Sequence, residues 1–98
     1  MEPSISVVVP VWDGEALLGP LVEMLERAAE GMEPGSWECV LVDDGSSDGT
    51  WAEASRLAEA RPWLRPHRAP HAGLGAARNL GASLAVNLNL NLNLPQIR

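Results

Sequence analysis

The sequence predicts an α/β fold built on an open parallel sheet in the order β-α-β-α-β-α. Three observations carry that reading. Two short, continuous apolar runs rich in valine each give way to a glycine-containing loop and then to an amphipathic stretch of helical period. A third, weaker extended segment precedes a glycine-rich loop that opens an alanine-rich helix. Strands that alternate with helices in this way are joined most economically by right-handed crossovers into a parallel sheet.

Taken in order, Ile5-Ser6-Val7-Val8-Val9 reads as a strand buried on both faces, ended by Pro10, which has no N–H to give to a ladder. Residues 13–15 form a loop. Leu17, Leu21, Met24, Leu25 and Ala28 recur at helical spacing, and Pro20, best suited to a first helical turn, places the regular helix from about Gly19-Pro20 to about Gly31. Residues 32–37 are a Pro/Gly loop, and residues 38–42 a second strand. Ser46 or Ser47 is expected to cap a second helix whose apolar positions are Trp51, Ala54, Leu57 and Ala58, with Pro62 ending it. Residues 63–68 form a third strand that Pro66 assigns to an edge. Residues 73–84 run from loop into the last helix.

The character changes after Ala85. Asn and Leu alternate strictly over residues 87–94 before Pro95, a period that suits a strand and not a helix. Two units follow: residues 1–85 as the folded domain, and residues 86–98 as a low-complexity tail. The tail reads as a scar, a frameshift or a divergent terminus. It is expected to add a strand beside the first one in a truncated sheet, or to drive self-association through residues 87–94.

Ninety-eight residues allow one small domain, which buries only about two-thirds of its unfolded surface. With 46% hydrophobic and 20% charged residues the chain is globular. Thirteen acidic residues against seven basic ones, a net charge of −6, argue against nucleic-acid binding. The single Cys39, inside a strand pattern, is expected to be a buried inert thiol and excludes an internal disulfide framework. The apolar run at residues 5–11 is too short to span a membrane, so no membrane segment is expected in this chain and a cytoplasmic location follows.

Chemistry concentrates in three places. Asp43 and Asp44 end the second strand, at the sheet edge where open α/β folds bind ligands. Alternation sends them to opposite sides, so one is expected to cap the next turn while the other accepts from a base N–H or a ribose hydroxyl. Trp12 and Glu15, in the loop after the first strand, offer a flat apolar surface and a group within reach of a sugar hydroxyl. Equally, Trp12 fills the core and Glu15 sits solvated in a helical first turn. In His71-Ala72-Gly73-Leu74-Gly75-Ala76-Ala77-Arg78-Asn79 an arginine stands where a dinucleotide fingerprint needs its third glycine, and the segment follows the third strand, so that reading is rejected. Arg78 then brings a guanidinium suited to bidentate diphosphate binding, or pairs with a surface glutamate. His67 and His71 are expected to be exposed loop histidines, without the partners a metal needs.

These segments, in this order, resemble the N-terminal, nucleotide-sugar-binding half of a family 2 glycosyltransferase with the Rossmann-like GT-A fold. Residues 7–15 are similar to that family's opening strand and Pro-x-Tyr-Asn-Glu loop, with Trp12 for tyrosine and Asp13 for asparagine. Residues 40–50 contain its Val-Asp-Asp-Gly-Ser-x-Asp-Gly-Thr signature without a mismatch, and residues 73–81 match its Gly-x-x-x-Ala-Arg-Asn-x-Gly segment. The likeness covers roughly residues 4–85. It implies that Pro10, Val11, Trp12 and Glu15 border the base and ribose of a nucleotide-diphosphate sugar, of UDP type. It implies that Asp44 (or Asp43) fixes the base, and that Gly73 and Arg78 lie near base or diphosphate. It also implies a divalent metal, Mg or Mn, whose Asp-x-Asp ligands are absent from this chain, as are the catalytic base and acceptor site. The 98-residue chain is therefore expected to transfer no sugar by itself. Location at the cytoplasmic face of a membrane is implied for a longer parent. A non-catalytic nucleotide-binding module, and a structural or assembly protein dominated by the Asn-Leu tail, are the other readings.

Overall fold

The computed structural model describes residues 3–85, 91–93 and 96. Strand β1 (Ile5–Val11) leads to helix α1 (Glu15–Ala28), β2 (Trp37–Asp44), α2 (Thr50–Glu59), β3 (Leu64–Ala69), α3 (Leu74–Leu84) and β4 (Asn91–Asn93). The sheet runs β3-β2-β1-β4, with every pairing parallel. Pro66 lies in the edge strand β3, where a missing donor is tolerated.

Strand β4 pairs with β1 in the register Ser6↔Asn91, Val7↔Leu92 and Val8↔Asn93. Residues 91–93 belong to the tail that the sequence expects to add a strand beside the first one. The rest of the Asn-Leu repeat lies outside the described residues.

The central strands β1 and β2 are buried on both faces, as valine-rich runs in a parallel sheet should be. On one face α1 and α2 cover Val7, Val9, Val11, Cys39 and Leu41 with Leu18, Leu21, Val22, Leu25, Ala54 and Leu57. On the other, α3 sets Ala77 against Val8, Val40 and Val42. Gly81 permits that approach, because a Cβ there would overlap Val8 Cγ1 and crowd Val42 Cγ2.

Several boundaries differ from the sequence reading. Strand β1 continues through Pro10, paired with Val42, to Val11. The proline removes one donor, but its fixed φ remains compatible with extended backbone. Strand β2 includes both aspartates, because Asp43 and Asp44 still pair with Arg68 and Ala69. Helix α1 begins at Glu15, not near Pro20, which lies inside it. Ala16, whose carbonyl loses its partner to Pro20, is exposed, so water can satisfy that oxygen. The buried stripe of α1 is Leu18, Leu21, Val22 and Leu25, while Leu17 and Met24 are exposed. Starting the helix earlier admits Leu18, and with Val22 in place of Met24 the apolar face is turned by one residue.

Candidate functional site: the carboxyl edge of the sheet

Three parallel strands end at one edge, so the loops that follow β1, β2 and β3 meet there. The first two are clasped together. Asp13 N–H donates to Ser46 Oγ (2.9 Å), and Ser47 N–H donates back to Asp13 Oδ1 (2.8 Å). Gly14 N–H donates to Thr50 Oγ1 (3.1 Å), and Gly49 N–H to Glu15 Oε1 (3.0 Å). Asp13 adopts a left-handed φ of 50°, which aspartate tolerates better than most residues.

This clasp replaces the serine cap expected for α2. The N-cap is Gly49, without a side-chain cap bond. Asp48 Oδ1 instead accepts from Thr50 N–H (2.9 Å) and from the Thr50 hydroxyl, which holds its carboxyl below the usual carboxylate range. Ser46 and Ser47 are engaged by Asp13, a partner more than thirty residues away in sequence.

The two strand-end aspartates separate as alternation requires. Asp43, fully buried, accepts from Ser46 N–H through Oδ1 (3.0 Å), and its Oδ2 lies 4.0 Å from Arg68 Nε. Asp44, 1% exposed, turns to the loop before α3. Its Oδ1 accepts from Ala72 N–H (2.9 Å). Its Oδ2 accepts from Gly73 N–H (3.2 Å) and Gln96 Nε2 (3.2 Å), and lies 3.0 Å from His71 Nδ1. His71 Nδ1 is also 3.1 Å from the Asp44 carbonyl oxygen. The imidazole stacks on Trp12, ring centroids 4.5 Å apart and planes at 18°.

Trp12 and Asp44 are thus linked through His71, Gly73 bonds Asp44 directly, and Gly73 is the N-cap of the helix that carries half-buried Arg78. Trp12 is half-buried at the edge and not a core plug. Pro10 and Val11 are buried side chains, so their backbone is what borders the edge. The exposed Glu15 and the buried Asp43 brace the loops. His71 was missed: its interactions depend on a loop closing onto Asp44, and no sequence spacing signals that. His71 is nonetheless an exposed loop histidine as expected, whereas His67 departs from expectation. It lies half-buried in β3, where burial first and Arg65 second press its pKa below the ordinary value. Cys39 is buried, and desolvation, with Glu38 adding to it, pushes its thiol up to about 12.

Among the described residues no three His, Cys, Asp or Glu side chains converge into a metal site. Among the described residues no helix is long and apolar enough to cross a membrane.

Residues 6–87 match the family described as glycosyl transferase family 2. The chain is 46% identical over 52 residues to dodecaprenyl-phosphate galacturonate synthase of Rhizobium johnstonii, covering 53% of this chain and 15% of that protein. It is 32% identical over 73 residues to dolichol-phosphate mannosyltransferase of Pyrococcus furiosus, covering 74% of this chain and 20% of that protein. Among solved structures, mannosyltransferase PcManGT from Pyrobaculum calidifontis, in complex with GDP-Man and Mn2+, shares the fold. The TM-score is 0.70 at 25% identity, over 88% of this chain and 25% of that one. This chain spans a quarter or less of the length of each relative.

Proposed function

We propose, since the chain belongs to glycosyl transferase family 2, that it supplies the nucleotide-binding part of an enzyme moving a sugar from a nucleotide-diphosphate donor to an acceptor. One observation carries this reading: the flat face of Trp12 and the buried carboxylate of Asp44 meet at the carboxyl edge of a parallel sheet, beside the N-terminus of α3. Trp12 stacks on the base and Asp44 accepts its N–H. The Pro10–Val11 backbone and Glu15 border the ribose. Gly73 and Arg78 face the diphosphate, where a guanidinium offsets local negative charge in an acidic chain. Asp43 acts one step back, through the Ser46 turn. We assign residues 1–85 to this binding unit and residues 86–98 to a tail that includes β4 (Asn91–Asn93).

The base that suits Asp44 carries a ring N–H, as uracil and guanine both do. UDP is the first ligand to try, and the GDP-Man bound by PcManGT puts GDP beside it. The Mn2+ of that complex makes a divalent cation the natural companion of the diphosphate. Both curated relatives are named for polyprenyl phosphates, so such a lipid joins a simple hydroxyl as an acceptor class to test.

The test is a thermal shift with UDP and GDP. Ligand at a hundred times its dissociation constant raises stability by about 2.7 kcal/mol. That rise should vanish in Asp44→Asn, which keeps the carboxylate's size without its charge, and shrink in Arg78→Ala. A wild-type chain whose unfolding temperature ignores every nucleoside diphosphate would overturn the proposal.

A further inference from the structure

The imidazole of His71 does two things at once. It lies flat on Trp12, at 4.5 Å and 18°, and it turns a ring nitrogen to the Asp44 carboxylate at 3.0 Å. A nucleobase held by the same two residues would do the same: stack as a planar nitrogen heterocycle and donate an edge N–H to the buried acid. We propose that His71 is an internal stand-in for the base, occupying its position in the free protein and leaving when nucleotide binds. The inference rests on the assignment of Trp12 and Asp44 to the base.

Asp44 has no spare capacity. A carboxylate offers about four acceptor positions; Ala72 N–H, Gly73 N–H and Gln96 Nε2 donate to three of them, and His71 Nδ1, which pairs with the Asp44 carbonyl oxygen at 3.1 Å, closes the fourth from 3.0 Å away from Oδ2. An incoming N–H must replace one of them. The two backbone amides are fixed by the closure of residues 71–73 onto the start of α3. Of the two side-chain donors, His71 is the one stacked on Trp12. Both atoms that Nδ1 faces, Asp44 Oδ2 and the Asp44 carbonyl oxygen, are acceptors, which assigns the proton to Nδ1.

The backbone beside His71 is tied to Asp44 by the Ala72 and Gly73 amides. Gly45 has a φ of 73°, and a Cβ on it would overlap the His71 main chain, so the two backbones touch through a glycine. Release is therefore a side-chain rotation and not a loop movement. The imidazole is already half exposed, at 50%, so turning it outward costs little desolvation. A neighbouring cavity of about 460 Å³, bordered by Gly45, Ser46, Arg68, Ala69, Pro70 and His71, gives the ring somewhere to go.

A ligand that must first displace an occupant binds with an affinity reduced by the fraction of open protein. Removing the occupant raises affinity. An outer wall closing over a bound base gives the opposite sign, because its loss removes a contact from the complex. Isothermal titration with UDP and GDP on the wild-type chain, His71→Ala and His71→Phe separates the two. His71→Ala should tighten binding by roughly 3- to 10-fold, the scale of one aromatic stack. His71→Phe keeps the ring but not the N–H, and should tighten binding less. Weaker or unchanged binding in His71→Ala, with the wild type binding normally, overturns the stand-in and leaves the proposed function intact. Absence of binding in all three proteins overturns the proposed function, and the stand-in with it. Thermal melts of each variant establish that it is folded.

Discussion

The two faces of the sheet are built differently. The face under α1 and α2 is filled by large aliphatic side chains from two helices and two central strands. The face under α3 is thin: Ala77, Gly81 and Ala85 lie against Val8, Val40 and Val42, and strand alternation puts Ser6, Glu38 and Asp44 on that same side. Interlocked large residues supply most of the burial energy. Small residues bring backbone close, and that closeness delivers residues 71–73 onto Asp44. One face holds the fold together, while the other positions a carboxylate.

The largest expected effect tests the thick face. Leu18 is fully buried on the inner face of α1, and Leu18→Ala should cost about 2–5 kcal/mol in urea unfolding through lost transfer energy plus a cavity. A loss below 1 kcal/mol would mean that this face relaxes and is not the main source of stability. Gly81→Ala tests the thin face from the opposite direction. One added methyl meets the β-branched Val8 and Val42, whose stiffness leaves no cheap adjustment, so about 1–3 kcal/mol should be lost by overpacking. Neutral behaviour would show α3 to be loosely docked.

Cys39 gives a smaller, pH-dependent signal. Its thiol is raised to about 12 in the fold, well above the ordinary value near 8.5 that the unfolded chain keeps. The folded state therefore holds its proton more tightly. Stability is unaffected below about pH 8.5 and falls above it, by up to roughly 1.4 kcal/mol per pH unit until the folded value is reached. Urea midpoints at pH 8 and pH 10 should show the fall, and Cys39→Ala should reduce it. The smallest effect belongs to Met24, which is 48% exposed: Met24→Ala should stay within about 0.5 kcal/mol. A larger loss would restore Met24 to the buried stripe that its spacing suggested.

The alternation of strands and helices, the edge position of β3 and the opposite destinations of Asp43 and Asp44 could be inferred from sequence, because each follows from a local period or a proline. The α2 cap could not, since Asp13 and Glu15 reach it from a loop more than thirty residues earlier. Nor could the start of α1, where an exposed carbonyl tolerates Pro20 inside the helix. His71 was the costliest miss. A lone loop histidine carries no spacing signal, and its stack on Trp12 exists only once two loops 59 positions apart share an edge.

Backbone and indole amide resonances, followed while UDP and then GDP are added to the nitrogen-15-labelled chain, test the nucleotide edge most directly. Shifts should gather at the Trp12 indole, Asp44, Ala72 and Gly73, with the stacked Trp37–Trp63 pair at the opposite end of the sheet unmoved. Shifts centred on Trp37 and Trp63, or none at all with either nucleotide, would contradict the assignment.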